Sequence, residues 1–131
     1  MLLSVVVFIS QLFLITYLSL TDGGVMKLLK NQRKLKYLRM EKLPLLKGEF
    51  LTDLQSGLLR TLVLKNLQQF QELYFIDALS HCPSLCVLDL QHCYSISDSA
   101  ILAASAILKQ NLVSSFLKLF ERINILTSHR I

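Results

Sequence analysis

The sequence predicts an α/β fold, a solenoid with a parallel sheet along its concave side and helices along its convex side. Three observations predict it. First, one spacing of large apolar residues returns four times, as Ile9-x-x-Leu12-x-Leu14, Leu35-x-x-Leu38-x-Met40, Leu59-x-x-Leu62-x-Leu64 and Leu85-x-x-Leu88-x-Leu90, with starts 26, 24 and 26 residues apart. Second, two of these units agree further along: Leu12-x-Leu14-x-x-Tyr17-x-x-Leu20-Thr21-Asp22 aligns with Leu88-x-Leu90-x-x-Cys93-x-x-Ile96-Ser97-Asp98. Third, stretches with helical spacing lie between the frames. Self-similarity with a period of about 20–29 residues is the signature of a leucine-rich solenoid, and four units exceed the roughly three needed to bury a continuous core.

The elements follow in order. Unit one has a strand near 11–15, then a helix from about 23 to 31 that Thr21 or Asp22 can cap by accepting a bond from an orphan amide. Val25, Leu28 and Leu29 share its apolar face. Unit two has a strand near 36–40 and a loop holding Pro44. Phe50, Leu51, Leu54 and Leu58 then have helical spacing, with Gly57 ending that helix. Unit three has a strand near 60–64, and Leu73, Ile76 and Leu79 form the stripe of its helix. Cys82-Pro83 closes it, because proline disfavours helix at the residue before. Unit four has a strand near 87–90, and Ser97 or Asp98 caps a helix whose inner face is Ala100, Ile101, Ala104, Ile107 and Leu108. After Lys109 the frame weakens. Leu117-x-Leu119-x-x-Arg122-x-x-Ile125 suits a partial fifth repeat, and Leu112, Phe116, Leu119, Phe120 and Ile123 suit an amphipathic helix equally well. The divisions are an apolar lead at 1–8, four repeats at 9–110, and a C-terminal helix or partial fifth repeat at 111–131.

The first twenty residues carry no charge and fifteen of them are apolar. That is long enough to cross a bilayer as a helix. No basic lead and no A-x-A-like site favour a signal peptide. The repeat register running through residues 9–22 favours a buried strand instead, so a repeat strand, a signal and a membrane anchor all stay open here. Because a solenoid needs polar caps and this chain starts and ends apolar, it is expected to be a fragment, membrane-tethered, or reliant on a partner that covers its ends.

Charge is uneven along the chain. Residues 27–47 hold eight basic residues and one acid, a net +7, whereas residues 48–108 hold two basic residues and six acids, a net −4. The basic run reads first as a solvated helix face and loop, and second as a contact for an acidic partner. Aromatic residues are scarce among the charges, so nucleic acid is not expected as a partner. Three cysteines cannot all pair with one another and suit a reducing compartment. His81, Cys82, Cys86, His92 and Cys93 invite a zinc or thiol-enzyme reading. Their spacing misses the usual zinc pairs, and no phosphate loop or nucleophile motif accompanies them. The sequence therefore points to no cofactor, no metal and no catalysis. Cys93 is expected as the inward residue of a turn, its thiol on loop backbone.

Side chains alternate across a strand, so each frame turns its leucines inward and the residues between them outward. The outward residues are Gln11, Phe13 and Ile15, then Tyr37, Arg39 and Glu41, then Thr61, Val63 and Lys65, then Val87, Asp89 and Gln91. Stacked strands turn these into rows. Phe13, Tyr37, Arg39, Val63, Lys65 and Asp89 are the expected protein-binding residues, because aromatic and arginine side chains are frequent interface anchors.

The segment Cys82-Pro-Ser-Leu-Cys-Val-Leu-Asp-Leu-Gln-His-Cys-Tyr-Ser-Ile-Ser-Asp98 resembles the cysteine-containing leucine-rich repeat of F-box/leucine-rich-repeat proteins, the substrate-recognition subunits of Cullin–RING ubiquitin ligases. Unit one keeps the pattern with Tyr17 at the cysteine position, and units two and three carry Leu43 and Leu67 there. The resemblance implies a cytoplasmic, non-enzymatic protein-binding module, meeting ligase subunits through a missing or separate region, since no F-box is visible. Thr21-Asp22-Gly-Gly-Val25, Leu35-Lys-Tyr-Leu38 and Leu43-Pro44 also resemble the small leucine-rich proteins of mitochondria related to ATP synthase coupling factor B. That likeness implies an assembly adaptor, mitochondrial or anchored through residues 1–20.

Overall fold

A computed structural model of the chain describes residues 10–54, 56–114 and 124–126, with the backbone alone described for 110–114 and 124–126. Its strands are β1 (Gln11–Ile15), β2 (Tyr37–Glu41), β3 (Thr61–Lys65), β4 (Val87–Asp89) and β5 (Asn124–Leu126), in one sheet that keeps the order of the chain. All pairings are parallel, and Leu12, Leu38, Leu62 and Leu88 stand side by side across four strands. The fold is thus α/β around a parallel sheet, as the four frames require. β1 has the expected bounds, β2 and β3 begin one residue later, and β4 ends one residue early.

The units repeat at the level of single atoms. The carbonyls of Ser10, Lys36 and Arg60 each accept two N–H groups from the following unit. At the other end of the strands, Thr16, Lys42 and Asn66 donate their N–H to Glu41, Lys65 and Gln91. Thr16, Lys42, Asn66 and His92 all have positive φ, between 55° and 62°. Only asparagine and histidine among them enter that region readily. Lysine is carried there because Met40 and Leu43, on either side of it, are both in the core, and threonine holds the same turn position one unit earlier, after the buried Leu14.

Helix α1 (Asp22–Leu29) starts at Thr21, whose hydroxyl accepts from the Gly24 N–H. Of the two candidate caps, threonine has the role; Asp22 is used elsewhere. Helix α2 (Glu72–Leu79) buries Phe75, Ala78 and Leu79. This corrects the expected stripe, since Leu73 is 62% exposed. Helix α3 (Asp98–Ser114) starts at Ser97, which accepts from the Ala100 N–H, and buries Ala100, Ala104 and Leu108.

Unit two departs from expectation. Its helix is a short 3-10 turn, Glu49–Asp53, that opens at Gly48 with φ 113°. It does not reach Gly57, and Leu58 lies exposed. Register gives the reason. Gln11 pairs with Tyr37 and Thr61 with Val87, both 26 residues apart, whereas Tyr37 pairs with Thr61 after only 24. A 3-10 helix rises about 2.0 Å per residue against about 1.5 Å for an α-helix, so a shorter segment can cover the same side of the sheet.

The core lies between the sheet and the helices. Leu14, Leu38, Met40, Leu62, Leu64, Leu88 and Leu90 meet Val25, Leu29, Phe50, Phe75, Leu79 and Ala104 in one cluster. Asp22 stitches units one and two together. Its carboxylate accepts from the N–H groups of Lys47 (2.7 Å), Gly48 (2.9 Å) and Phe50 (3.1 Å). Glu72 does the same between units three and four, accepting from Ser97 N at 2.6 Å and Ser97 Oγ at 3.2 Å.

Two expectations about the ends change. β5 lies at Asn124–Leu126 beside β4, later than the Leu117-x-Leu119 frame, which falls outside the described residues. The division at 110 falls inside α3, which runs on to Ser114. Residues 11–15 are a strand, so residues 1–20 are not a single membrane-crossing helix; residues 1–9 lie outside the described ones. Among the described residues no helix is long and apolar enough to cross a membrane.

Candidate functional site

The sheet face away from the helices carries the outward residues in three straight rows. Gln11, Tyr37, Thr61 and Val87 form the first, and Phe13, Arg39, Val63 and Asp89 the second. Ile15, Glu41 and Lys65 form the third. Parallel pairing without slippage produces this order, because shifting one strand by a residue would turn its leucines out of the core.

The face has two unlike halves. At its β1 end the rings of Phe13 and Tyr37 lie 5.2 Å apart, tilted by 35°. Phe13 is 50% exposed and Ile15 is also exposed. This is an apolar surface beside a half-buried tyrosine. Toward β4 the surface tightens: Val63 and Asp89 are buried, at 5% and 6% exposure.

The charges on this face are already paired with one another. Glu41 Oε2 accepts from Arg39 Nη2 at 2.8 Å and from Nε at 3.2 Å. Lys65 Nζ lies 3.5 Å from Asp89 Oδ2. The other Asp89 oxygen accepts from the Gln91 N–H at 3.1 Å. The hydrogen bond to Glu41, and after it one to Tyr37, raises the Arg39 pKa, and the bond from Arg39 lowers that of Glu41. Of the six expected binding residues, Phe13, Tyr37 and Arg39 form one accessible group. Lys65 and Asp89 form a separate ion pair, and Val63 is packed between the two.

Sequence reasoning missed these pairings, although the signal was present. Arg39 and Glu41 are two apart on one strand and so share a face. Lys65 is two residues past Val63, the register partner of Asp89, which makes Lys65 and Asp89 diagonal neighbours.

The cysteines are buried thiols on separate carbonyls. Cys93 points inward as expected, and its Sγ donates to Leu64 O at 3.0 Å, a carbonyl of β3 where a loop carbonyl was expected. Cys86 Sγ lies 3.8 Å from Arg60 O and Cys82 Sγ 4.0 Å from Leu54 O. Burial pushes the Cys93 pKa up to about 11 and raises that of Cys82, the reverse of what a thiolate nucleophile needs. His92 Nδ1 lies 2.7 Å from the Tyr94 hydroxyl. Among the described residues no group of three His, Cys, Asp or Glu side chains is arranged to hold a metal ion.

The basic run lies apart from this face. Lys27, Lys30, Arg33, Lys34, Lys36, Lys42 and Lys47 are exposed, and Arg39 alone of the eight belongs to a strand row. Compared with protein-family models, curated proteins and solved structures, the chain matches none of them.

Proposed function

We propose that this chain is a leucine-rich-repeat solenoid that binds another protein on its sheet face and has no catalysis of its own. The observation that carries the reading is the joined group Phe13–Tyr37–Arg39. Two rings in contact and a guanidinium already held in place sit on consecutive strands of a rigid sheet. A preorganised aromatic and arginine cluster loses little side-chain freedom on binding, so more of its contact energy appears as affinity. The internally paired charges suit a partner that lays apolar or polar surface over them.

The cysteine-containing frame at 82–98 supports a narrower version, in which the module recognises substrates as the repeats of F-box/leucine-rich-repeat proteins do, in the reducing cytoplasm. The test is affinity capture with the full chain, with Phe13→Asp and with Lys30→Ala. The reading expects specific proteins that are retained by Lys30→Ala and lost with Phe13→Asp. Ligase subunits among them support the narrower version, and inner-membrane complex subunits in their place overturn it. Capture insensitive to Phe13→Asp overturns the binding face itself.

A further inference from the structure

Helix α1 and its C-cap present Gly23, Lys27 and Lys30 to solvent, and two clefts meet at Lys27. Met26, Lys27, Lys30, Asn31 and Arg33 line the first, a recess with a single acid, Asp53. Among the described residues Lys27, Lys30 and Arg33 have no ion-pair partner, in contrast to Arg39 and Lys65 on the sheet face. Leu12, Leu14, Tyr17, Leu20, Lys27 and Leu28 line the second, an apolar cleft of about 560 Å³. That cleft lies at the β1 end of the core, where Leu12, Leu20 and Leu28 pack against the buried cluster that includes Leu14. Leu38, Leu62 and Leu88 are covered by strands on both sides, whereas their counterpart Leu12 stays half-exposed. Lys27 borders both clefts, so the cationic recess and the apolar one form one surface.

We propose that this surface is a second docking site, separate from the sheet face, for an acidic segment of a partner protein. Its carboxylates meet Lys27, Lys30 and Arg33, and its apolar side chains enter the apolar cleft beside Leu20 and Leu28. Charge complementarity selects the acid: three cations converge on one recess with one carboxylate among them. The helix dipole alone asks for no such cluster, since one basic residue in the last turn satisfies it. The end of the core selects the apolar groups, because the cleft is lined by the leucines that neighbouring units bury elsewhere. A protein segment fits better than a membrane. The apolar cleft is bordered by the polar side chains of Ser19 and Thr21. Hydrocarbon would leave those hydroxyls unsatisfied, whereas the main chain of a protein segment can hydrogen-bond to them.

The experiment uses the full chain and fluorescence anisotropy of a short labelled peptide alternating leucine and glutamate. Wild type should bind it, with affinity falling as salt rises. Lys27→Glu combined with Lys30→Glu should lower affinity about tenfold or more. Lys36→Glu combined with Lys47→Glu changes the net charge equally, away from the clefts, and should cost much less. All four side chains are exposed, so circular dichroism should be unchanged. A peptide with serine in place of leucine should bind more weakly, and one with lysine in place of glutamate should not bind. Tyr37→Ala should leave peptide binding intact, which separates this site from the sheet face. Equal losses in the two double variants, or equal binding of the serine peptide, would overturn the proposal. So would binding to phosphatidylserine–phosphatidylcholine vesicles without binding to the peptide.

Discussion

Arg39 and Glu41 face the same side of β2, and one carboxylate oxygen of Glu41 takes both Nε and Nη2 of Arg39. The guanidinium is therefore positioned before any partner arrives, and it shares a further hydrogen bond with Tyr37. Both side chains keep some solvent contact, with 30% and 18% of their side-chain area exposed. Exposed pairs contribute roughly 0.2–1 kcal/mol to stability. Arg39→Ala should leave the urea midpoint nearly unchanged while weakening a sheet-face partner by more than about 1 kcal/mol, measured by titration calorimetry. Lys30→Ala should change neither. Loss of that partner with Lys30→Ala and not with Arg39→Ala would move its site to the helix side.

The same pair sets a small acid dependence. Arg39 lowers the Glu41 pKa below its ordinary 4.5. The contribution is therefore fully present above pH 4.5 and is lost as pH falls through the lower folded value. Denaturation followed against pH should show that slope in the native chain, and Arg39→Ala should remove it.

Leu62 sits in the middle of the leucine row, 2% exposed between Leu38 and Leu88. Leu62→Ala should destabilise the fold by roughly 2–5 kcal/mol through lost burial and the cavity left behind. Urea unfolding gives the value. A change below about 1 kcal/mol would mean that the row is not the continuous core described.

Asp22→Ala should be costly for a different reason. It strands the N–H groups of Lys47, Gly48 and Phe50, two of which are in buried hydrogen bonds. Hydrogen bonds to a charged group contribute roughly 1.5–3 kcal/mol, and an unmade buried one costs a similar amount. Thr21→Ala removes only the helix cap and should cost about 1 kcal/mol. Hydrogen exchange should show the 47–50 amides losing protection in the Asp22 variant and keeping it in the Thr21 variant.

Cys93 should resist alkylation in the folded chain, because burial holds its thiol protonated to about pH 11 against an ordinary value of 9.0. For an acid whose folded pKa is raised, stability is intact below pH 9 and falls as pH rises toward 11, since only the unfolded chain has released the proton. Iodoacetamide labelling at neutral pH should modify Cys93 only after denaturant is added. Fast labelling without denaturant would contradict its placement.

The sequence by itself determined the α/β class, the four parallel strands and their register. It could do so because a leucine at each second strand position must face the core, and a slip of one residue would expose the whole set. Leu12, Leu38, Leu62 and Leu88 are aligned for that reason. The sequence also determined which side chains stand on the open face, since alternation is a local property of a strand. Tertiary structure decided what those side chains do there. Lys65 joins Asp89 across strands, and Val63 is closed over by its neighbours, facts that depend on how near the rows lie. It decided that Asp22 leaves its own helix for the loop at 47–50, because unit two brings three N–H groups within reach. It decided that unit two holds a 3-10 turn. A helical pattern at Phe50, Leu51, Leu54 and Leu58 cannot register how few residues separate two strands already pinned to their neighbours.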